Sequence, residues 1–240
     1  MDIKKEIEKI ISKDIGKYSI MKINEDALNK KYGEMFLVRI DPTNIGYDSN
    51  PIVIIPGYSN KSFLSMLEVI IKNYTQFNNK CILMLCWGTT VKQLSDDIAN
   101  NNPDMETQYK MNEEFRINLA KIFDKIIRSI IKSQFYLIGK SAGSGIAIYI
   151  SSINTQVTKL FLCCPATTNG CKPLATRLDL KIFLSWNQDD KTIEIKDSFR
   201  FMEDMNSQGN KYTFYSYVTG GHEINSDFIR HLSMCYHFTP

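Results

Sequence analysis

Short, nearly continuous apolar runs punctuate this chain, and longer stretches with apolar residues at three- and four-residue spacing separate them. Runs at 51–55, 81–87, 135–138, 159–164, 181–186 and 212–218 are rich in β-branched and aromatic residues, which predicts strands covered on both faces. Helix-period stretches lie at 62–73, 113–132, 193–205 and 225–235; in the second, Phe115, Leu119, Ile122, Phe123, Ile126 and Ile130 share one face. Such alternation predicts crossover βαβ units, hence a mostly parallel sheet flanked by helices on both faces. A run at 34–40, ahead of Asp41-Pro42, predicts an antiparallel edge strand before the parallel core, and residues 1–33 predict an N-terminal helical extension. No internal repeat and no Pro/Gly/Ser linker interrupts the 240 residues, so one domain spanning 1–240 is expected.

Composition narrows the partners. Hydrophobic residues make up 43% and charged residues 23%, and the formal net charge is only +3, with lysines dispersed along the chain. Nucleic acid is therefore not an expected partner. The cysteines, Cys81, Cys86, Cys163, Cys164, Cys171 and Cys235, show no C-x-x-C spacing and fall mostly inside apolar runs, which predicts reduced core thiols and no metal. The start, M-D-I-K-K-E-I-E-K-I-I, reads as a charged amphipathic helix without the apolar stretch of a secretory signal, and no run reaches the length of a membrane span. A cytoplasmic protein without stable membrane insertion is expected.

Residues 135–144 read F-Y-L-I-G-K-S-A-G-S: an apolar strand stops at Gly139-Lys140-Ser141-Ala142-Gly143 and small, helix-compatible residues follow. A serine hydroxyl is a weak nucleophile until geometry and a base activate it, and a G-x-S-x-G corner between strand and helix supplies the geometry. Glycines flank the serine because the tight turn leaves no space for side chains there. Its base is sought at a strand end. Of the histidines, His231 and His237 fall in or after the last helical stretch and read as surface or helix-end residues. His222 follows Gly220-Gly221 directly after the 212–218 run, on a loop that can carry an imidazole inward. An orienting carboxylate is offered after the 181–186 run by Asp189 and Asp190, at least one of which is free to cap the following helix.

The order Ser, Asp, His, each at a strand end, resembles the α/β-hydrolase superfamily over roughly 51–222. The resemblance implies a small, lidless serine esterase or thioesterase with Ser141 as nucleophile, His222 as base and Asp190, three residues before Ile193, as the acid, with Asp189 the alternative. It implies no cofactor, a small-molecule acyl substrate, and an oxyanion hole from the Tyr58 amide, after Pro56-Gly57, and the Ala142 amide at a helix N-terminus. Many relatives carry His-Gly where this chain has Pro56-Gly57. Lys140 holds the variable position of the corner, where an ammonium reaching solvent is expected. Residues 164 and 181 are too close for a cap domain; the irregular stretch 89–112, with Met105, Tyr109 and Met111 beside Trp87, is the segment available as a partial lid, and 166–178 the other segment expected to set specificity. A non-catalytic binding module on the same fold, or cleavage of a lipid, lactone or amide, are the competing readings.

Overall fold

The structure is a computed structural model, and it describes residues 2–11, 17–23, 35–41, 50–77, 80–87, 100–101, 104–167 and 170–237. Eight strands among them form one sheet: β1 (Tyr18–Lys22), β2 (Phe36–Ile40), β3 (Ile52–Ile55), β4 (Ile82–Cys86), β5 (Phe135–Lys140), β6 (Val157–Cys163), β7 (Lys181–Asn187) and β8 (Tyr212–Tyr217). Their spatial order is β1-β2-β4-β3-β5-β6-β7-β8. Pairing is antiparallel at β1/β2 and β2/β4 and parallel from β4 through β8. The helices are α1 (Ile3–Ile11), α2 (Asn60–Lys72), α3 (Met105–Ile130), α4 (Ala142–Ile153), α5 (Lys196–Ser207) and α6 (Ser226–His237).

Burial explains the apolar runs. Every residue of β3, β4 and β5 is buried, as strands with helices over both faces must be, whereas β1 and β8 alternate or lie exposed at the sheet's two edges. The 34–40 strand is present but is not the edge: β1 pairs outside it, so residues 1–33 contain a strand as well as the helix α1. Four of its five residues are exposed, and with little to bury it carries no apolar pattern from which to read a strand. Long helix α3 likewise starts eight residues before its apolar stripe, because Asp104 caps it by accepting hydrogen bonds from the amides of Glu106 and Thr107 at 3.2 and 2.9 Å. The supposed irregular stretch 89–112 is thus helical from Met105 on; 88–99 and 102–103 lie outside the described residues.

Connectivity places the site. The chain leaves β3 for β4 on one side and then crosses to β5 on the other, so β3 and β5 meet at a switch in strand direction of travel, where open α/β sheets leave a crevice. Register aligns the carboxyl ends around it: Ile55 pairs with Gly139, Lys140 with Cys163, Cys163 with Ser185, and Asn187 with Tyr217. At the opposite end of the sheet, the buried guanidinium of Arg177 closes the far end of α4, donating to the carbonyls of Ser151, Asn154 and Val157. This residue of the 166–178 segment therefore holds the scaffold. Between β6 and β7 the described residues form one short 3-10 turn, Lys172–Leu174, and no cap domain. No described helix is long and apolar enough to cross a membrane, and five of the six cysteines are buried, none of the six in a disulfide.

Leu137 lies at the centre of β5 and is fully buried. Truncation to alanine is expected to lower unfolding free energy by about 2–5 kcal/mol, read by urea denaturation; a loss under about 0.5 kcal/mol contradicts a tightly packed central strand.

Candidate active site

Ser141 sits at the corner between β5 and α4 with φ 52° and ψ −125°, a backbone conformation that L-residues adopt only under constraint. The constraint is steric. A Cβ on Gly143 would stand 2.2 Å from the Ile55 carbonyl oxygen and 2.3 Å from that of Pro56, and one on Gly139 would stand 2.6 Å from the Ser144 Cα. Bare backbone at both positions lets α4 press against the end of β3, and the serine is left projecting. Its own main chain is tied at both ends, the amide donating to the Cys163 carbonyl at 2.9 Å and the carbonyl accepting from Ser144 and Ala166 at 2.9 and 3.1 Å.

The loop 56–59 lies against this corner, with a Cβ on Gly57 placed 3.3 Å from the Ser141 Cβ. Trp87 holds the loop from beneath: its indole N–H donates to the Pro56 carbonyl at 3.1 Å and its ring lies 5.4 Å from that of Tyr58. At 3% exposure Trp87 is a core residue and does not cover the site, whereas Met105, Tyr109 and Met111 are exposed on α3. Among the described residues the Tyr58 and Ala142 amides donate to no protein acceptor. Ala142 opens α4, where the helix dipole favours negative charge.

The structure brings the three sequence-predicted side chains together. His222 Nε2 lies 2.9 Å from Ser141 Oγ, and Nδ1 lies 2.7 Å from Asp190 Oδ2. The other carboxylate oxygen, Oδ1, accepts from the amides of Thr192 and Ile193 at 2.8 and 3.0 Å. One aspartate thus both closes its own turn and orients the imidazole. Burial on its own pushes the Asp190 carboxyl up; hydrogen bonds from His222, Ile193, Thr192 and the Cys164 thiol outweigh it and hold the group below the ordinary carboxylate range. An ionised carboxylate only accepts, so Nδ1 of a neutral His222 carries the proton, and Nε2 is left to accept from the serine hydroxyl. The Asp190 side chain is fully buried, while His222 keeps 21% exposure and can meet a substrate.

Asp189 has a different task. Its carboxylate accepts from the amides of Gly220 and Gly221 at 3.3 and 2.7 Å, which fixes the histidine's loop. Asn187, buried at the end of β7, donates to the carbonyls of Gly221 and Glu223 at 2.8 and 2.9 Å, and Asn225 ties the Thr219 carbonyl while capping α6 through Phe228. Gly220, at φ 145°, passes so near Asn187 that a Cβ would lie 2.7 Å from its amide nitrogen. Lys140 departs furthest from expectation. It is 1% exposed, not solvent-reaching, because the Glu223 carboxylate binds its ammonium inside the fold. The sequence offers Asp189 as the alternative acid and Cys164 as a core thiol, and leaves Asn187 and Glu223 unread; a cluster of amide and acid side chains at a strand end is the available signal.

Cys164, at φ 43° after β6, forms with Asp190 and His222 the group of potential metal ligands whose donor atoms lie within 4.8 Å of one another among the described residues. Both Asp190 oxygens and both His222 nitrogens already hold hydrogen bonds. His231, expected at the surface, is half-buried, stacked 4.9 Å from Tyr215 and bonded to the Tyr217 hydroxyl at 3.0 Å; the His237 side chain lies outside the described residues. A small surface cavity of about 10 Å³, room for roughly one water, lies beside α4, lined by Glu113, Arg116, Gly145 and Thr167, so the 166–178 segment borders a shallow opening there.

Solved structures share this architecture. A thermostable esterase matches with TM-score 0.57 at 14% identity over 88% of this chain and 56% of that one. Alpha/beta hydrolase domain-containing protein 10 from mouse matches with TM-score 0.56 at 10% identity over 91% of this chain and 97% of that one. An acylaminoacyl peptidase from Pyrococcus horikoshii matches with TM-score 0.53 at 10% identity, over 95% of this chain but 42% of that one. The chain thus spans only about half the length of the esterase and less of the peptidase. No protein-family model and no curated protein matches the sequence.

The depressed Asp190 carboxyl makes a prediction about stability. A group with a folded pKa below its unfolded one stabilises fully above the unfolded value, about 4 for aspartate, and loses that contribution as pH falls through the folded value. The gap in urea midpoint between the wild type and Asp190→Asn should narrow as pH falls below about 4; a gap that stays constant or widens below that pH contradicts the charge state of Asp190.

Proposed function

The chain has the α/β-hydrolase fold, and on that premise we propose that it is a serine hydrolase cleaving a carboxylic ester or thioester through Ser141, His222 and Asp190. One observation carries the reading: a single imidazole bridges a strained, outward-facing serine hydroxyl and a buried, ionised carboxylate at 2.9 and 2.7 Å.

The chemistry follows from the charges. Ser141 Oγ attacks the acyl carbon as its proton passes to His222 Nε2; Asp190, already accepting from Nδ1, stabilises the imidazolium without taking a proton. The acyl oxygen becomes an oxyanion, bound by the Ala142 amide at the N-terminus of α4 and the Tyr58 amide of the 56–59 loop. Collapse of this intermediate breaks the bond to the alcohol or thiol, which leaves with the proton from His222. An acyl-serine remains. Water then attacks it with His222 again accepting a proton, and the second collapse returns Ser141 and releases the acid. No cofactor enters any step. With no cap domain among the described residues, the substrate reaches Ser141 along the carboxyl edge of the sheet.

A series of p-nitrophenyl esters of graded acyl length tests this. Wild type should hydrolyse at least the short members; Ser141→Ala and His222→Ala should each lose on the order of 10⁴-fold or more in kcat, and Asp190→Asn on the order of 10²–10⁴-fold. Turnover that survives Ser141→Ala overturns the assignment.

A further inference from the structure

Lys140 immediately precedes Ser141, and Glu223 immediately follows His222. Their side chains meet across 83 residues of sequence, the ammonium donating to Glu223 Oε2 and lying 3.4 Å from Ser62 Oγ on α2. Ser65 Oγ, one turn further along α2, lies 3.4 Å from the same carboxylate oxygen. An ammonium with 1% exposure is strongly disfavoured unless an opposite charge and hydrogen-bond acceptors meet it, and Glu223, itself 51% exposed, is the carboxylate that does so. Asn187 and Asp189 hold the histidine's loop from the β7 side. Lys140 holds it from β5, the strand that carries the nucleophile.

We propose that Lys140 and Glu223 are a positioning pair that fixes His222 against Ser141 and, as opposite charges flanking these two residues, cancels its own field at the imidazole. The proposal rests on the serine-hydrolase reading for its kinetic consequence but not for its electrostatic one. The loop tie limits how far the imidazole can swing from the serine hydroxyl, and a displacement of about 1 Å there costs on the order of 10²-fold in rate. Cancellation matters because the other groups facing His222 already include two carboxylates. Among the described residues, Asp190 bonds Nδ1, Asp189 holds the loop's amides, and Ser141 and the Cys164 thiol lie beside the imidazole as neutral groups. A third unbalanced carboxylate would favour the imidazolium, which cannot accept the serine proton; an unbalanced ammonium would disfavour the charge that His222 must carry in the transition state.

Each half of the pair therefore has an opposite signature. The imidazole resonances of His222, assigned against His222→Asn, are titrated by NMR in the wild type, Lys140→Met, Glu223→Gln and the double variant, with the amide spectrum as a check on the fold. Glutamine keeps the shape of a half-exposed side chain and methionine fills the lysine stem's volume. Lys140→Met should raise the His222 midpoint by about half to one pH unit, Glu223→Gln should lower it by a similar amount, and the double variant should return it close to wild type. In ester hydrolysis the double variant should still lose about 10- to 100-fold in kcat with KM little changed, since the charges are balanced but the tie is gone. Midpoint shifts of the same sign in both single variants, no shift in either, or a double variant with full kcat overturn the proposal. A wild type that titrates as expected yet hydrolyses no ester overturns the hydrolase reading alone.

Discussion

The whole site depends on two positions where a methyl group cannot fit. At Gly143 a Cβ would overlap the carbonyl oxygens of Ile55 and Pro56, and at Gly139 it would overlap the first turn of α4. Because these contacts are backbone against backbone, the end of β3, the end of β5 and the start of α4 are locked into one rigid corner. Holding Ser141 at φ 52° costs on the order of 1–3 kcal/mol, a load the surrounding sheet can carry because β3, β4 and β5 are buried along their whole length. The same approach that strains the serine delivers the Tyr58 loop beside it and leaves the first amide of α4 pointing into the crevice.

The imidazole comes from a less rigid element and is held differently. β8 is an edge strand, and the segment after it carries Gly220 and Gly221 at positive φ. Hydrogen bonds take the place of packing there. Asn187, Asp189 and Asn225 bind successive backbone groups from 219 to 223, and the Lys140 ammonium reaches Glu223 from the strand of the serine. A network of this kind is directional, so it fixes orientation as well as place, and every buried partner in it would be left unsatisfied if one were removed. Packing sets the serine and polar bonding sets the imidazole.

The sequence discloses the first of these far better than the second. Buried parallel strands read as apolar runs, the glycine spacing around Ser141 follows from sterics, and His222 and Asp190 stand out as rare residue types at strand ends. Edge strand β1 is missed because an exposed strand needs no apolar pattern, and the first turns of α3 because a cap, not burial, begins them. Lys140 reads as a surface lysine since its partner is remote in the chain, and Trp87 as a cover for the site since its bond to Pro56 is tertiary. Asp189 and Asp190 look equivalent side by side; only the fold turns one carboxylate to the imidazole and the other to the glycine amides.

The central claim is that Ser141 is an activated nucleophile, and a fluorophosphonate probe addresses it directly. Peptide mass mapping of the folded protein should find one adduct, on Ser141, formed quickly in the wild type and on the order of 10³-fold more slowly or not at all in His222→Ala. No adduct on folded protein, or an adduct at another serine that persists in Ser141→Ala, would contradict it.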